Sequence, residues 1–193
     1  MSSRFWYHGT KEDAKTFKLH PPSVSNLFYV AKDIGYAKHY GSNIYRMTLN
    51  ENIKIFDPSD INQVKELKWP KFFNYCLEKS KKKKFDLFVF FRYIAPYQNL
   101  YGYVERSNGK IDQNDIDEWK EFCQLRGYHH YQGDFKSTDP KNDANQLRTI
   151  LMRDLSKLDY KAYKSFEHQI EADSEILGIF SIDAIDKISY CPL

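Results

Sequence analysis

A chain of 193 residues and 23.0 kDa has room for one domain, or one domain with a large insertion, and is long enough to bury a sizeable core. Its 41% hydrophobic and 28% charged residues exclude a mainly disordered chain, and the aromatic share of 17%, with 15 Tyr and 14 Phe, is high. A net charge of +3 from 29 basic and 26 acidic residues is too small to name nucleic acid as a partner, and the longest apolar run, Leu87 to Phe91, is far short of the ~20 residues of a membrane span.

In chain order, Arg4 to Tyr7 is aromatic and extended and then meets His8, Gly9 and Thr10, which predicts a strand reaching a sharp polar turn. Leu27 to Val30 reads as a second short strand. Asp33 is placed to cap a helix through Ile34, Ala37 and Tyr40, and Gly41 stands where a left-handed terminating residue belongs. Ile44 to Leu49 sets Tyr45, Met47 and Leu49 on one strand face. Ile53 to Phe56 continues as another strand before Asp57 and Pro58 signal a helix start.

The middle of the chain changes period. Ile61, Val64 and Leu67 suit a helix, Phe72 to Leu77 another, and Phe85 to Phe91 a buried strand. Between them Lys79 and Lys81 to Lys84 form a basic run, read first as a solvated helix end and second as a phosphate contact. Tyr93, Tyr97, Tyr101 and Tyr103 read as core packing ahead of a base-stacking surface. Asp115 and Glu118 have capping-box spacing ahead of Ile116, Trp119 and Cys123, with the helix ending near Gly127. A polar loop over Asp134 to Asn142 leads into an amphipathic helix carrying Leu147, Ile150, Leu151 and Leu155.

Strands return at Asp159 to Tyr163, Ile176 to Phe180 and Lys187 to Tyr190. Strands at both ends and helices between them predict a single α+β domain over residues 1–193 whose sheet unites the termini, with 57–146 as an insertion. Cys76, Cys123 and Cys191 are odd in number and lack a CxxC pair, so neither a disulfide framework nor a cysteine zinc site is indicated. His129 and His130 are adjacent and would point to opposite faces of a strand, so no metal site is expected. With no apolar signal segment after Met1, a cytoplasmic protein is expected.

Three polar residues fall at the edges of the terminal strands: His8 after the first, Tyr29 in the second, and Glu175 opening the late apolar strand. Trp6-Tyr7-His8-Gly9-Thr10, Leu27-Phe28-Tyr29-Val30-Ala31 with Ala37 and Tyr40 after it, and Glu175-Ile176-Leu177-Gly178-Ile179-Phe180 together resemble the motifs of one superfamily. They are similar to the ADP-ribosyltransferases of the His-Tyr-Glu branch, which includes diphtheria-type toxins and poly(ADP-ribose) polymerases. The resemblance covers about residues 4–56 and 147–190. It implies a split β-sheet core that binds NAD as substrate.

What the resemblance implies for each residue is specific. His8 would hold the adenine-side ribose, Gly9 would offer backbone groups to the nicotinamide amide, and Thr10 would assist on the ribose. Tyr29 would stack on the nicotinamide ring, with Tyr40 as the second wall of that slot. Glu175 would stabilise the positive sugar as the bond to nicotinamide breaks, and chemistry supports that role independently. An oxocarbenium-like state at an anomeric carbon is stabilised by an adjacent carboxylate more than the ground state is, and nicotinamide leaves without a general acid. Glu167, Glu171 and Glu175 recur every four residues, so a charged helical face is the competing pattern, and Glu171 is the reserve choice if the strand begins earlier. Asp173 stands where arginine-modifying members carry Glu and some others Gln, which leaves the acceptor open. A protein acceptor is expected first, nucleic acid second and water third. An inactive nucleotide-binding module of the same fold is the alternative to an enzyme, and a structural nucleic-acid-binding domain a further one.

Overall fold

The computed structural model describes residues 5–13, 18–70, 113–127, 140–169 and 172–192. Seven strands form one mixed sheet: β1 (Trp6–Thr10), β2 (Phe28–Ala31), β3 (Asn43–Leu49), β4 (Lys54–Phe56), β5 (Tyr160–Gln169), β6 (Ala172–Ile179) and β7 (Ile185–Tyr190). The described helices are α1 (Ile34–Lys38), α2 (Ile61–Glu66), α3 (Gln113–Arg126) and α4 (Pro140–Lys157). The protein is therefore of mixed α and β class, as its alternating periods predict.

Strand order across the sheet is β4-β5-β6-β2-β1-β3-β7, so strands from both ends of the chain interleave. All neighbours are antiparallel except β4 and β5. One face carries the main core, where Trp6, Val30, Met47, Ala162, Leu177 and Ile179 are buried together. The opposite face carries a smaller cluster in which Tyr36 of α1 packs with Ala31 and Ile176, and Tyr29 lies against it. Strand alternation produces both clusters from the same β2 and β6 residues: Val30 and Leu177 point one way, Ala31 and Ile176 the other.

The chain divides into two compact units, one formed by Met1–Pro58 with Met152–Leu193 and the other by Ser59–Leu151. The first contains the whole sheet and α1. The second contains α2, α3 and most of α4, and Trp69 meets Phe122 there edge-on with ring centroids 4.7 Å apart. The expected helix over Phe72 to Leu77, the strand over Phe85 to Phe91, the lysine run, the four tyrosines from Tyr93 to Tyr103, Cys76, and His129 with His130 lie outside the described residues.

Local chemistry accounts for several element ends. Asp33 caps α1, its Oδ1 accepting the Tyr36 N–H at 2.7 Å, and Asp60 caps α2 by accepting from Asn62. Gly127 takes φ 65 immediately after α3. Other ends differ from expectation. His8, Gly9 and Thr10 are not a turn but complete β1, because each is paired with β3. Helix α2 starts after Asp60 rather than at Pro58, and α3 starts at Gln113, so Asp115 and Glu118 lie inside it instead of capping it. Gly41 does not take a left-handed conformation; it is glycine because any Cβ there would strike the Thr10 backbone. Strand β5 runs to Gln169 instead of stopping at Tyr163.

Candidate functional site

The three strands bearing the candidate residues, β1, β2 and β6, are consecutive in the sheet: β6 is hydrogen-bonded to β2 and β2 to β1. Their pairing is unequal. Strand β2 matches β6 over four residue pairs, Phe28 with Ile179 through Ala31 with Ile176, and β1 matches β3 over five. Between β1 and β2 only Tyr7 and Ala31 pair, so beyond that point the two strands have parted.

Backbone polarity shows what faces the parted seam. In an antiparallel sheet a residue's N–H and C=O point to the same side, alternating along the strand. Lys32 donates its N–H to Glu175 C=O at 2.8 Å, which turns Phe28, Val30 and Lys32 toward β6 and leaves Tyr29 and Ala31 directed at β1. Cys191, just after β7, donates to Ile44 C=O at 2.8 Å, so Ile44 faces β7 and not β1. Gly9 lies opposite Ile44, and its own N–H and C=O are therefore directed away from β3, at the seam.

His8 fills part of that seam. Its Nδ1 lies 2.9 Å from Tyr29 C=O, and its ring centroid lies 4.4 Å from that of Phe28. A carbonyl only accepts, so Nδ1 carries the proton and Nε2 is the ring's acceptor. Burial lowers the His8 pKa from its ordinary 6.5, against the opposing pull of the Tyr29 carbonyl and the Glu12 charge, so the ring is neutral at pH 7.

Gly9 is required by packing. A Cβ at this position would collide with the carbonyl oxygen of Ala37 in α1, so only glycine lets the helix rest on the end of β1. Thr10 ends the strand with its Oγ1 accepting the Glu12 N–H at 3.1 Å. Tyr29 is half-buried on the α1 side of the sheet. Tyr36 is fully buried on that same side, and its hydroxyl lies 3.1 Å from that of Tyr40, which is 48% exposed. The two tyrosines expected to form a ring slot thus share the α1 side of the sheet.

Glu175 sits within β6 rather than at its start, since the strand begins at Ala172. The condition favouring Glu171 is met in the letter, and Glu171 lies outside the described residues. Yet Ala172 to Ser174 pair only with β5, and Glu175 is where β6 first hydrogen-bonds to the β2 side, through Lys32 just after that strand. The helical-face pattern of Glu167, Glu171 and Glu175 does not occur: Glu167 lies in β5, Glu175 in β6. Register places Glu175 and His8 on the main-core face, with Trp6, Val30 and Leu177, and Tyr29 on the opposite one. The three side chains therefore do not converge on a single point: His8 and Tyr29 lie along the parted stretch on opposite faces, while Glu175 is level with Lys32 and Trp6, on the other side of the Tyr7–Ala31 pair.

Sequence reasoning missed the partner of Glu175. Lys164 Nζ lies 2.7 Å from Glu175 Oε2 and 3.5 Å from Asp57 Oδ2. The hydrogen bond to Glu175 raises the Lys164 pKa above its ordinary 10.5, with the charges of Glu175 and Asp57 adding to it and burial opposing it. Residues 161–166, Lys-Ala-Tyr-Lys-Ser-Phe, do not alternate apolar with polar positions, so no period-two signal extends β5 past Tyr163, and the register that sets Lys164 beside Glu175 is not local. Gly178, opposite Tyr29, was also missed as a packing residue: a Cβ there would meet the Tyr163 ring.

Among the described residues no group of three His, Cys, Asp or Glu is placed to hold a metal ion. No helix among them is long and apolar enough to cross a membrane. Comparison with protein-family models, with curated proteins and with solved structures finds no match.

Proposed function

We propose that this chain is an NAD-dependent ADP-ribosyltransferase of the His-Tyr-Glu type, with an ADP-ribosyltransferase-like split sheet, that transfers ADP-ribose to a macromolecular acceptor. Protein is the favoured acceptor, nucleic acid the second. The observation that carries the reading is the adjacency of β1, β2 and β6 together with the single-pair seam between the first two. Lining groups fit the parts of NAD. Gly9 turns one donor and one acceptor toward the seam, the complement of a primary amide. His8 Nε2 is an acceptor suited to a ribose hydroxyl. Tyr29 and Tyr40 offer aromatic faces to a flat cationic ring. Two strand spacings, on the order of 10 Å, separate His8 from Glu175 on the same face of the sheet, a span that an extended dinucleotide bridges.

As substrate, NAD brings a pyridinium bonded to an anomeric carbon, and the bonding electrons leave with neutral nicotinamide. Glu175 then carries the electrostatic work: its carboxylate stabilises the positive charge that grows on the sugar. Gly9 and the tyrosines fix the leaving ring, and His8, neutral, holds the far ribose without adding positive charge beside it. The acceptor's nucleophilic atom forms the new bond to the same carbon and loses its proton.

The test is nicotinamide release from NAD by the purified protein with cell extract as acceptor, beside Glu175→Gln and Tyr29→Ala. Turnover in the parent and its loss in both variants is the expected result. Absence of both turnover and NAD binding overturns the reading. A second reading, a module that binds NAD without turning it over, draws on the Lys164 ammonium already paired with Glu175; calorimetric NAD binding without nicotinamide release would favour it.

A further inference from the structure

We propose that Lys164 is a positioning residue for Glu175, an inference that rests on the ADP-ribosyltransferase reading and adds to it the group that aims the carboxylate. A glutamate has three rotatable side-chain bonds, and at 34% side-chain exposure Glu175 is not fixed by packing alone. Lys164 supplies the missing constraint. It lies opposite Leu177 in the β5-β6 ladder, which makes it the diagonal neighbour of Glu175 on the same face. Its ammonium reaches Oε2 at 2.7 Å, which leaves Oε1 as the oxygen to be presented to the sugar.

A second lysine is nearer in register but is turned elsewhere. Lys32 stands opposite Glu175 just after β2, joined to it through the backbone, while its ammonium lies 4.4 Å from the centroid of the Trp6 ring. A cation beside a carboxylate that must stabilise a positive sugar is at first sight counterproductive. Asp57 resolves this. Its Oδ2 lies 3.5 Å from the same ammonium, so two carboxylates share one cation and the group keeps a net negative charge. Asp57 directly follows β4, whose parallel pairing with β5 holds it at Lys164. The parallel edge strand thereby gains a role in the site.

Two measurements separate the contact from its consequence. The first needs no NAD: the Lys164 ε-ammonium is titrated by NMR in the parent and in Glu175→Gln. A midpoint above 10.5 that falls in the variant supports the contact, and an unmoved midpoint overturns it. The second compares NAD cleavage by Lys164→Met and Lys164→Arg. Misplacing one catalytic oxygen should lower kcat about 10- to 100-fold in Lys164→Met at nearly unchanged KM, with Lys164→Arg recovering most of it. Unchanged or faster turnover in Lys164→Met overturns the positioning role alone. A parent protein without turnover overturns the enzyme reading and the role together, and the NMR midpoint then reports a purely structural ion pair.

Discussion

Strand β1 is treated differently by its two neighbours. Along β3 it is paired at every residue from Trp6 to Thr10, whereas along β2 it is paired only at Tyr7. The same five residues thus form a continuous sheet on one edge and an opening on the other. The β3 side is itself backed by β7, so β1 keeps its place without β2. A strand secured on one edge is free to spend its other edge on a ligand, and the chemistry on the two sides agrees with that division. Small and polar groups, Gly9 and His8, gather at the parted edge, while Ile44 and Met47 are fully buried along the zipped strand.

The largest expected effect falls on activity and comes from β6, the strand on the far side of β2. Glu175→Gln should lower NAD cleavage by on the order of 10²- to 10³-fold while leaving the thermal midpoint nearly unchanged, since the residue is partly exposed; equal loss of fold would assign Glu175 to structure. Next is Gly9→Val, where the added side chain collides with α1. A destabilisation of about 1 to 3 kcal/mol is expected in denaturant unfolding, and a value near zero would mean that α1 does not rest on β1. Smaller still, His8→Ala should remove about 1 kcal/mol by leaving the Tyr29 carbonyl without its imidazole donor, and His8→Gln should restore part of it.

The smallest effect is one of pH. The folded His8 pKa lies below its ordinary 6.5, so as pH falls the unfolded chain takes up the proton first. Stability should therefore decline from about pH 6.5 down to the folded midpoint and level off below it, and His8→Gln should flatten that slope. A parent slope equal to that of the variant would place the imidazole in water rather than in the seam.

Much of this arrangement was legible in the residues. Asp33, the aromatic run before His8 and the apolar run from Ile176 to Ile179 located α1, β1 and most of β6, since capping and alternation are local rules. The extent of β1 was not. His8, Gly9 and Thr10 look like a turn in sequence because polar and glycine residues are usually placed at turns by solvent, whereas here a neighbouring strand has withdrawn and left them an edge to line. Glu175 was located, but Lys164 was not: their contact is a matter of register between β5 and β6, set by eight residue pairs at once. Gly41 was identified as special for the wrong reason, because its neighbour is Thr10, distant in sequence from the helix it follows.

The interleaving of early and late strands has a consequence for synthesis. Strand β2 receives its long partner only when residues 172–179 have been made, and β3 receives its outer one only with 185–190. Until those later residues have been made, His8, Tyr29 and Tyr40 stand in a chain that lacks the strand carrying Glu175. A chain cut short before residue 172 therefore leaves β2 with its single bonded pair to β1 and without β6.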